Sequence, residues 1–257
     1  MTATLRSIAF RASYWLASAF FAITALPLLL IPHRGPLMAW IQAYTKVMVW
    51  SMRHIGGIRV HVAGRENLPD GPCIIAAKHQ SWGDGFVMFA HVPDLAFVTG
   101  DHLMRYPLLG PILKKMGAIV VDNCGGAAAR GRLVASELEK AKSAGRSILI
   151  YPEGHLSPVG TQHRYRKGVF HLYEKYGVPV VPVATDLGLR WPQQEKKLHP
   201  GPCSVEFLPA IAPGLEKGEF MEMLEGKIES RSRALLHEQA FNGTWPHARS
   251  ASLGGVN

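Results

Sequence analysis

The run Cys73-Ile74-Ile75-Ala76-Ala77-Lys78-His79-Gln80-Ser81-Trp82-Gly83-Asp84 opens on five apolar or small residues and closes on a polar turn. CIIAA (73–77) predicts a strand, and Gly83 predicts a strand-to-helix turn. His79 leaves the strand and Asp84 stands five residues later, at the start of the next helix. On an unbroken helix five residues rotate by ~500°, so the two side chains would point apart; across a turn they can meet. A histidine with one ring nitrogen held by a carboxylate has a fixed tautomer, and its other nitrogen is free to take a proton. This is a triad without its serine, so the nucleophile would be the substrate's own hydroxyl. In a chain with 12 His and six Asp this spacing arises by chance about 0.3 times, so the surroundings must give it weight.

Outward from that run the chain alternates short strands and helices. IRVHV (58–62), LAFVT (95–99), AIVVD (118–122), SILIY (147–151), VPVVPVA (178–184) and SVEFL (204–208) predict six further strands. Helices are expected over 85–91, 102–116, 126–143, 169–176 and 216–238. The alternation predicts an α/β domain with a largely parallel sheet flanked by helices. In such sheets ligands bind beyond the carboxyl ends of the strands, so chemistry belongs in the loops that follow them.

The N-terminus has a different composition. Residues 12–32 carry no charge and lie between Arg11 and Arg34. As a helix they would rise ~30 Å, the thickness of a bilayer core, with a kink at Pro27. Because IPHRGP supplies no small-residue cleavage site, a retained anchor, spanning or re-entrant, is expected over a cleaved signal peptide. Residues 38–52, with Trp40, Tyr44 and Trp50, read as an amphipathic helix at the membrane interface. The organisation expected is an anchor and interfacial helix over 1–54, a catalytic domain over 55–242 and a disordered Gly/Ser-rich tail over 243–257. Cys73, Cys124 and Cys203 are sparse and unpaired in pattern; they read as buried small hydrophobes in a reducing compartment. A net charge of +9 suits an anionic partner.

Four blocks in order resemble the 1-acylglycerol-3-phosphate (lysophosphatidic acid) acyltransferases over about residues 58–238. They are His79 to Asp84 (H-x-x-x-x-D), Gly117 to Asn123, Tyr151-Pro152-Glu153-Gly154-His155-Leu156-Ser157, and Val178 to Ala184. The resemblance implies a glycerolipid acyltransferase-like fold and a membrane-bound enzyme, its catalytic domain on the cytoplasmic face of the inner membrane. It implies acyl transfer from an acyl-carrier protein or coenzyme A thioester to a lysolipid hydroxyl, with no cofactor or metal and no covalent acyl-enzyme. His79 would be the general base and Asp84 its orienting partner. Glu153 and Gly154 would line the acceptor site, with Glu153 accepting hydrogen bonds from it.

Three departures share a theme. Asn123 stands where the family usually has Arg, His155-Leu156 where it has Thr-Arg, and Gly100-Asp101-His102-Leu103 where it has Lys-x-Glu-Leu. Those basic groups surround the acceptor's phosphate, and Arg and Lys suit the work because they make charge-assisted hydrogen bonds. Their joint absence leans the expected acceptor toward a lyso-aminolipid such as a lyso-ornithine lipid, with polar contacts from Asn123, His155 and Glu153. The alternative is 1-acylglycerol-3-phosphate, its phosphate held by cations from Arg164, Arg166 and Lys167. A non-catalytic lipid-binding relative is the reading of another class. A metal hydrolase lacks any H-E-x-x-H cluster, and a nucleic-acid module is disfavoured by scattered basic residues and an apolar N-terminus.

Overall fold

The computed structural model describes residues 2–121 and 127–244, with 127–134 described as helical backbone only. Asn123, Cys124 and all but the first two residues of the expected tail lie outside the described residues. Helices α1 (Ala3–Ala25) and α2 (Gly35–Ser51) precede β1 (Ile58–Ala63) and β2 (Ile74–Ala77). Then come α3 (Asp84–His91), β3 (Ala96–Gly100), α4 (Leu109–Met116), β4 (Ile119–Val121) and α5 (Ala127–Ser143). β5 (Ile148–Ile150), α6 (Gly168–Tyr176), β6 (Val180–Thr185), β7 (Gly201–Phe207) and α7 (Lys217–Phe241) complete the chain.

All seven expected strands join one sheet in the order β1-β7-β6-β2-β5-β3-β4. Five of them, β6 to β4 in that order, are mutually parallel; β7 runs antiparallel to β6 and carries β1 parallel to itself. The sheet is therefore mixed, with its two reversed strands at one edge. The parallel strands end together, so the loops after β2 and β5, which are hydrogen-bonded neighbours, are brought side by side.

Period-two alternation sorts the central strands onto two cores. Ile75, Ala77, Leu149, Val181 and Val183 pack with Met48, Met52, Val87 and Met88 from α2, its exit and α3. Ile74, Ala76, Ile148, Ile150 and Val180 pack with Leu138, Tyr173, Phe220, Leu224 and Ile228 from α5, α6 and α7. Strands covered on both faces read as near-continuous apolar runs. Each fully buried Val or Ile stabilises the fold by ~1.5–3 kcal/mol. Cys73 and Cys203 are free and buried in the first of these cores.

Two helical expectations shift. The stretch 102–116 splits into a 3-10 turn at Asp101–Arg105 and α4, because Tyr106, which precedes Pro107, is extended (φ −76°, ψ 122°). The apolar N-terminal helix starts at Ala3 and ends at Ala25, and Pro27, which has no N–H to donate, opens a separate 3-10 turn. Arg6 does not bar the early start because its guanidinium donates to the Ile55 carbonyl (3.1 Å). Ala3–Leu30 is the one stretch among the described residues that is long and apolar enough to cross a membrane. It is also docked along its length. Ser7 Oγ accepts the Leu198 N–H (2.9 Å), Phe10 packs edge-on to Trp191, and Ser18 bonds Tyr44 of α2 (2.7 Å). The opposite stripe of α1, including Leu5, Ile8, Trp15, Leu16, Phe20 and Ile23, is exposed.

Candidate active site

The pleat that divides the two cores also divides the chemistry at the end of β2. Counting on from Ile74, Lys78 leaves toward the face of α7 and His79 toward the face of α3. His79 Nδ1 lies 3.0 Å from Asp84 Oδ2, with the imidazole one-fifth exposed and the carboxylate buried. The same Oδ2 accepts the backbone N–H groups of Gln80 and Ser81, both at 2.8 Å. Asp84 thus closes the turn and fixes the imidazole with one atom; as the acceptor it sets Nδ1 as the protonated nitrogen and leaves Nε2 for a substrate. Ser81 Oγ donates to the Trp191 carbonyl (2.8 Å), which ties the turn to the segment after β6. Trp82, at the tip, is exposed.

The loop after β5 lies against this turn. The Ser157 N–H donates to the His79 carbonyl (2.8 Å), and the Tyr151 ring stacks on the His79 imidazole with centroids 3.8 Å apart and 14° between planes. Glu153, expected to meet the acceptor, is 2% exposed. Its carboxylate sits 2.7 Å from the Lys78 ammonium and accepts the Ser157 hydroxyl. Lys78 also bonds Glu229 of α7 (2.7 Å) and the Thr161 carbonyl (3.1 Å), and Tyr165 donates to Glu229 (2.8 Å). Burial and the Glu229 and Glu153 charges raise the Tyr165 phenol pKa far above its ordinary value, so it stays a donor. Glu153 therefore holds the loop to β2 and, through Lys78, to α7 by buried internal contacts. Lys78, Glu229 and Tyr165 were not singled out from sequence; a lysine at the end of an apolar strand was the available signal.

Gly154 takes a left-handed conformation (φ +73°), and a Cβ there would run into the Arg166 guanidinium. Arg166 is exposed, donates from Nε to the Glu153 carbonyl (3.2 Å), and so covers the loop beside the base. His155 is exposed, with Nδ1 3.0 Å from the Glu153 carbonyl, and its ring meets His163 edge-on at 4.6 Å. The three basic residues expected to act together are divided. Arg166 lies at Gly154, whereas Arg164 and Lys167 line a groove with Lys217, Glu222 and Glu225. Glu153, His155 and His163 bring three potential metal ligands within 4.8 Å, but the Glu153 carboxylate is already bound by Lys78 and Ser157.

The profile of the acyltransferase family matches residues 59–186, which contain the His79 turn and the Glu153 loop. The chain is 31% identical over 182 residues to the 1-acyl-sn-glycerol-3-phosphate acyltransferase of Pseudomonas aeruginosa, covering 71% of this chain and 70% of that one. It is 27% identical over 233 residues to the corresponding enzyme of Saccharomyces cerevisiae, covering 88% and 76%. The crystal structure of the 1-acyl-sn-glycerophosphate acyltransferase of Thermotoga maritima shares the fold, with a TM-score of 0.73 over 93% of this chain and 98% of that one, at 21% identity. The chain belongs to the acyltransferase family that includes these 1-acyl-sn-glycerol-3-phosphate acyltransferases.

Proposed function

We propose that the chain transfers a fatty acyl group from a thioester to the free hydroxyl of 1-acylglycerol-3-phosphate, with His79 as general base. The observation that carries this reading is the His79–Asp84 pair, with Nδ1 held and Nε2 open. Nε2 takes the hydroxyl proton as the oxygen attacks the thioester carbonyl. The C–O bond forms, the C–S bond breaks, and His79 returns the proton to the leaving thiolate. Asp84 stabilises the imidazolium in between. Such assistance is typically worth about 10²–10⁴-fold. The nearby serines are engaged elsewhere, Ser81 with the Trp191 carbonyl and Ser157 with Glu153, which supports direct attack without an acyl-enzyme. Coenzyme A and acyl-carrier protein thioesters both fit this chemistry as donors.

The lean toward a lyso-aminolipid acceptor finds no support, and the phosphate-bearing alternative does. The Pseudomonas aeruginosa and Saccharomyces cerevisiae relatives are both 1-acyl-sn-glycerol-3-phosphate acyltransferases, and Arg166 brings a guanidinium to the loop where Leu156 lacks one. The exposed apolar stripe of α1 beside a docked opposite face favours a helix lying in one leaflet over one that spans, since a spanning helix would not carry catalytic-domain contacts from Ser7 to Tyr14.

The test is a comparison of kcat/KM for 1-acylglycerol-3-phosphate and lyso-ornithine lipid with one donor, in wild type and His79→Ala. The expected result is preference for the phosphate acceptor and loss of at least ~10²-fold in the variant, without a fall in melting temperature. Near-normal turnover by His79→Ala would end the general-base reading, and preference for the aminolipid would end the acceptor reading.

A further inference from the structure

The Tyr151 ring is not assigned any role by the proton-transfer scheme, yet it makes the closest ring contact to the base. β2 and β5 pair in the register Ile74↔Ile148, Ile75↔Leu149 and Ala76↔Ile150, so Tyr151 continues opposite Ala77 and shares its face with His79. The rings lie 3.8 Å apart and nearly parallel at 14°. The hydroxyl oxygen is enclosed and has no hydrogen-bond partner among the described residues, so hydrogen bonding does not explain a tyrosine here. Burial, then the Asp84 charge, raise the phenol pKa well above its ordinary value, so the ring facing the imidazole is neutral. The groups facing the imidazole are Asp84 from the start of α3 and Tyr151 from the end of β5. The Lys78 ammonium departs on the other face of the sheet toward Glu153 and Glu229.

We infer that Tyr151 is a positioning residue for the base: its π face confines the His79 imidazole to the plane in which Nε2 meets the acceptor hydroxyl, and favours the imidazolium formed when the proton is taken. The physical basis is that an aromatic face attracts a cation stacked on it, most strongly where water is excluded. The Asp84 hydrogen bond restrains the ring at Nδ1 only; the Tyr151 ring stacked on its face limits the rocking about the Cβ–Cγ bond that would tilt Nε2 out of plane. The inference rests on His79 being the base, and the experiment separates the two.

The pH dependence of kcat/KM is measured for wild type, His79→Ala, Tyr151→Leu, Tyr151→Phe, and a protein carrying pentafluorophenylalanine at position 151. The fluorinated ring keeps the shape of the aromatic and reverses its quadrupole, so it remains informative even if the leucine variant does not fold. Tyr151→Leu is expected to lose roughly ten-fold in kcat with acceptor KM unchanged within about two-fold, and to move the acid limb about half to one pH unit lower. Tyr151→Phe should keep the wild-type limb, and the fluorinated ring should move it down. If His79→Ala is inactive but the limb stays in place with the fluorinated ring, the role given to Tyr151 is overturned while the base stands. If His79→Ala turns over normally, both fall.

Discussion

Lys78→Met is the perturbation that most sharply tests how this site is held together. The Lys78 side chain is 1% exposed and its ammonium lies 2.7 Å from a carboxylate oxygen of Glu153 and 2.7 Å from one of Glu229. Three formal charges, one positive and two negative, are thus buried together, with a hydroxyl donated to Glu153 by Ser157 and another to Glu229 by Tyr165. Methionine keeps most of the volume and removes the charge, leaving two carboxylates facing each other out of water. Breaking a buried pair from one side costs about 3–5 kcal/mol, a large share of the roughly 5–15 kcal/mol that holds a typical domain. For a chain of this size that corresponds to a fall in Tm of roughly 10 °C. Removing Glu229 as well, in Lys78→Met/Glu229→Met, should recover part of the loss, because a buried pair replaced by apolar side chains is often near neutral. The assay is thermal unfolding in detergent micelles followed by circular dichroism, with both single variants completing the cycle. A Lys78→Met protein within about 1 kcal/mol of wild type, or a double variant whose loss is the plain sum of the singles, would refute the reasoning.

Three further outcomes are expected. Burial, the largest cause, raises the Asp186 carboxyl from its ordinary 3.8 to about 6, against hydrogen bonds such as the one from the Ser204 N–H (2.6 Å). The folded protein therefore holds this proton in a window from about pH 4 to 6 where the unfolded chain has released it. The contribution is greatest below that window and falls by on the order of 3 kcal/mol as pH rises through it; Asp186→Asn should remove this slope in denaturant titrations at several pH values. Arg166→Gln should raise KM for the phosphate acceptor about ten-fold with little change in kcat, and adding Leu156→Arg should bring it back; an unchanged KM in steady-state assays would count against a cation at Gly154. Wild type should stay with membranes through a high-salt wash, whereas Trp15→Asp/Phe20→Asp should move to the supernatant, as read by fractionation and immunoblot.

The strands were legible because both faces of the sheet are covered, so each central strand is a short unbroken apolar run such as Ile74 to Ala77 or Ile148 to Ile150. Their direction was not. SVEFL looks like the other runs, and nothing in it announces that β7 turns back against β6. Helix boundaries failed where a single residue overrode composition. Pro107 cuts the expected 102–116 helix, and Arg6 sits inside α1 because a carbonyl at Ile55 receives it. At the site, the pairing of His79 with Asp84 followed from a turn five residues long, which is local information. The Lys78–Glu229 contact spans 151 residues, and on α7 a glutamate that faces inward has the same letter as those that face water.

The acceptor argument meets the same distinction between position in the chain and position in space. Losing Arg at 123 and 156 and Lys at 100 was read as losing positive charge at the site. Charge at a site depends on which side chains the backbone lets in. Gly154 has φ +73° and no Cβ, and the room this leaves is filled by the guanidinium of Arg166, delivered from just before α6. An alanine at 154 would be strained by its φ and would clash with that side chain, so the glycine and the arginine form one device made of two distant letters. Arg164, two residues earlier, cannot substitute for Arg166, because it lines the groove toward α7 with Lys167 and Lys217. One guanidinium can still make a bidentate contact with a phosphate, and bidentate contacts are the strong ones. A motif that loses its arginine in sequence can therefore keep it in the fold.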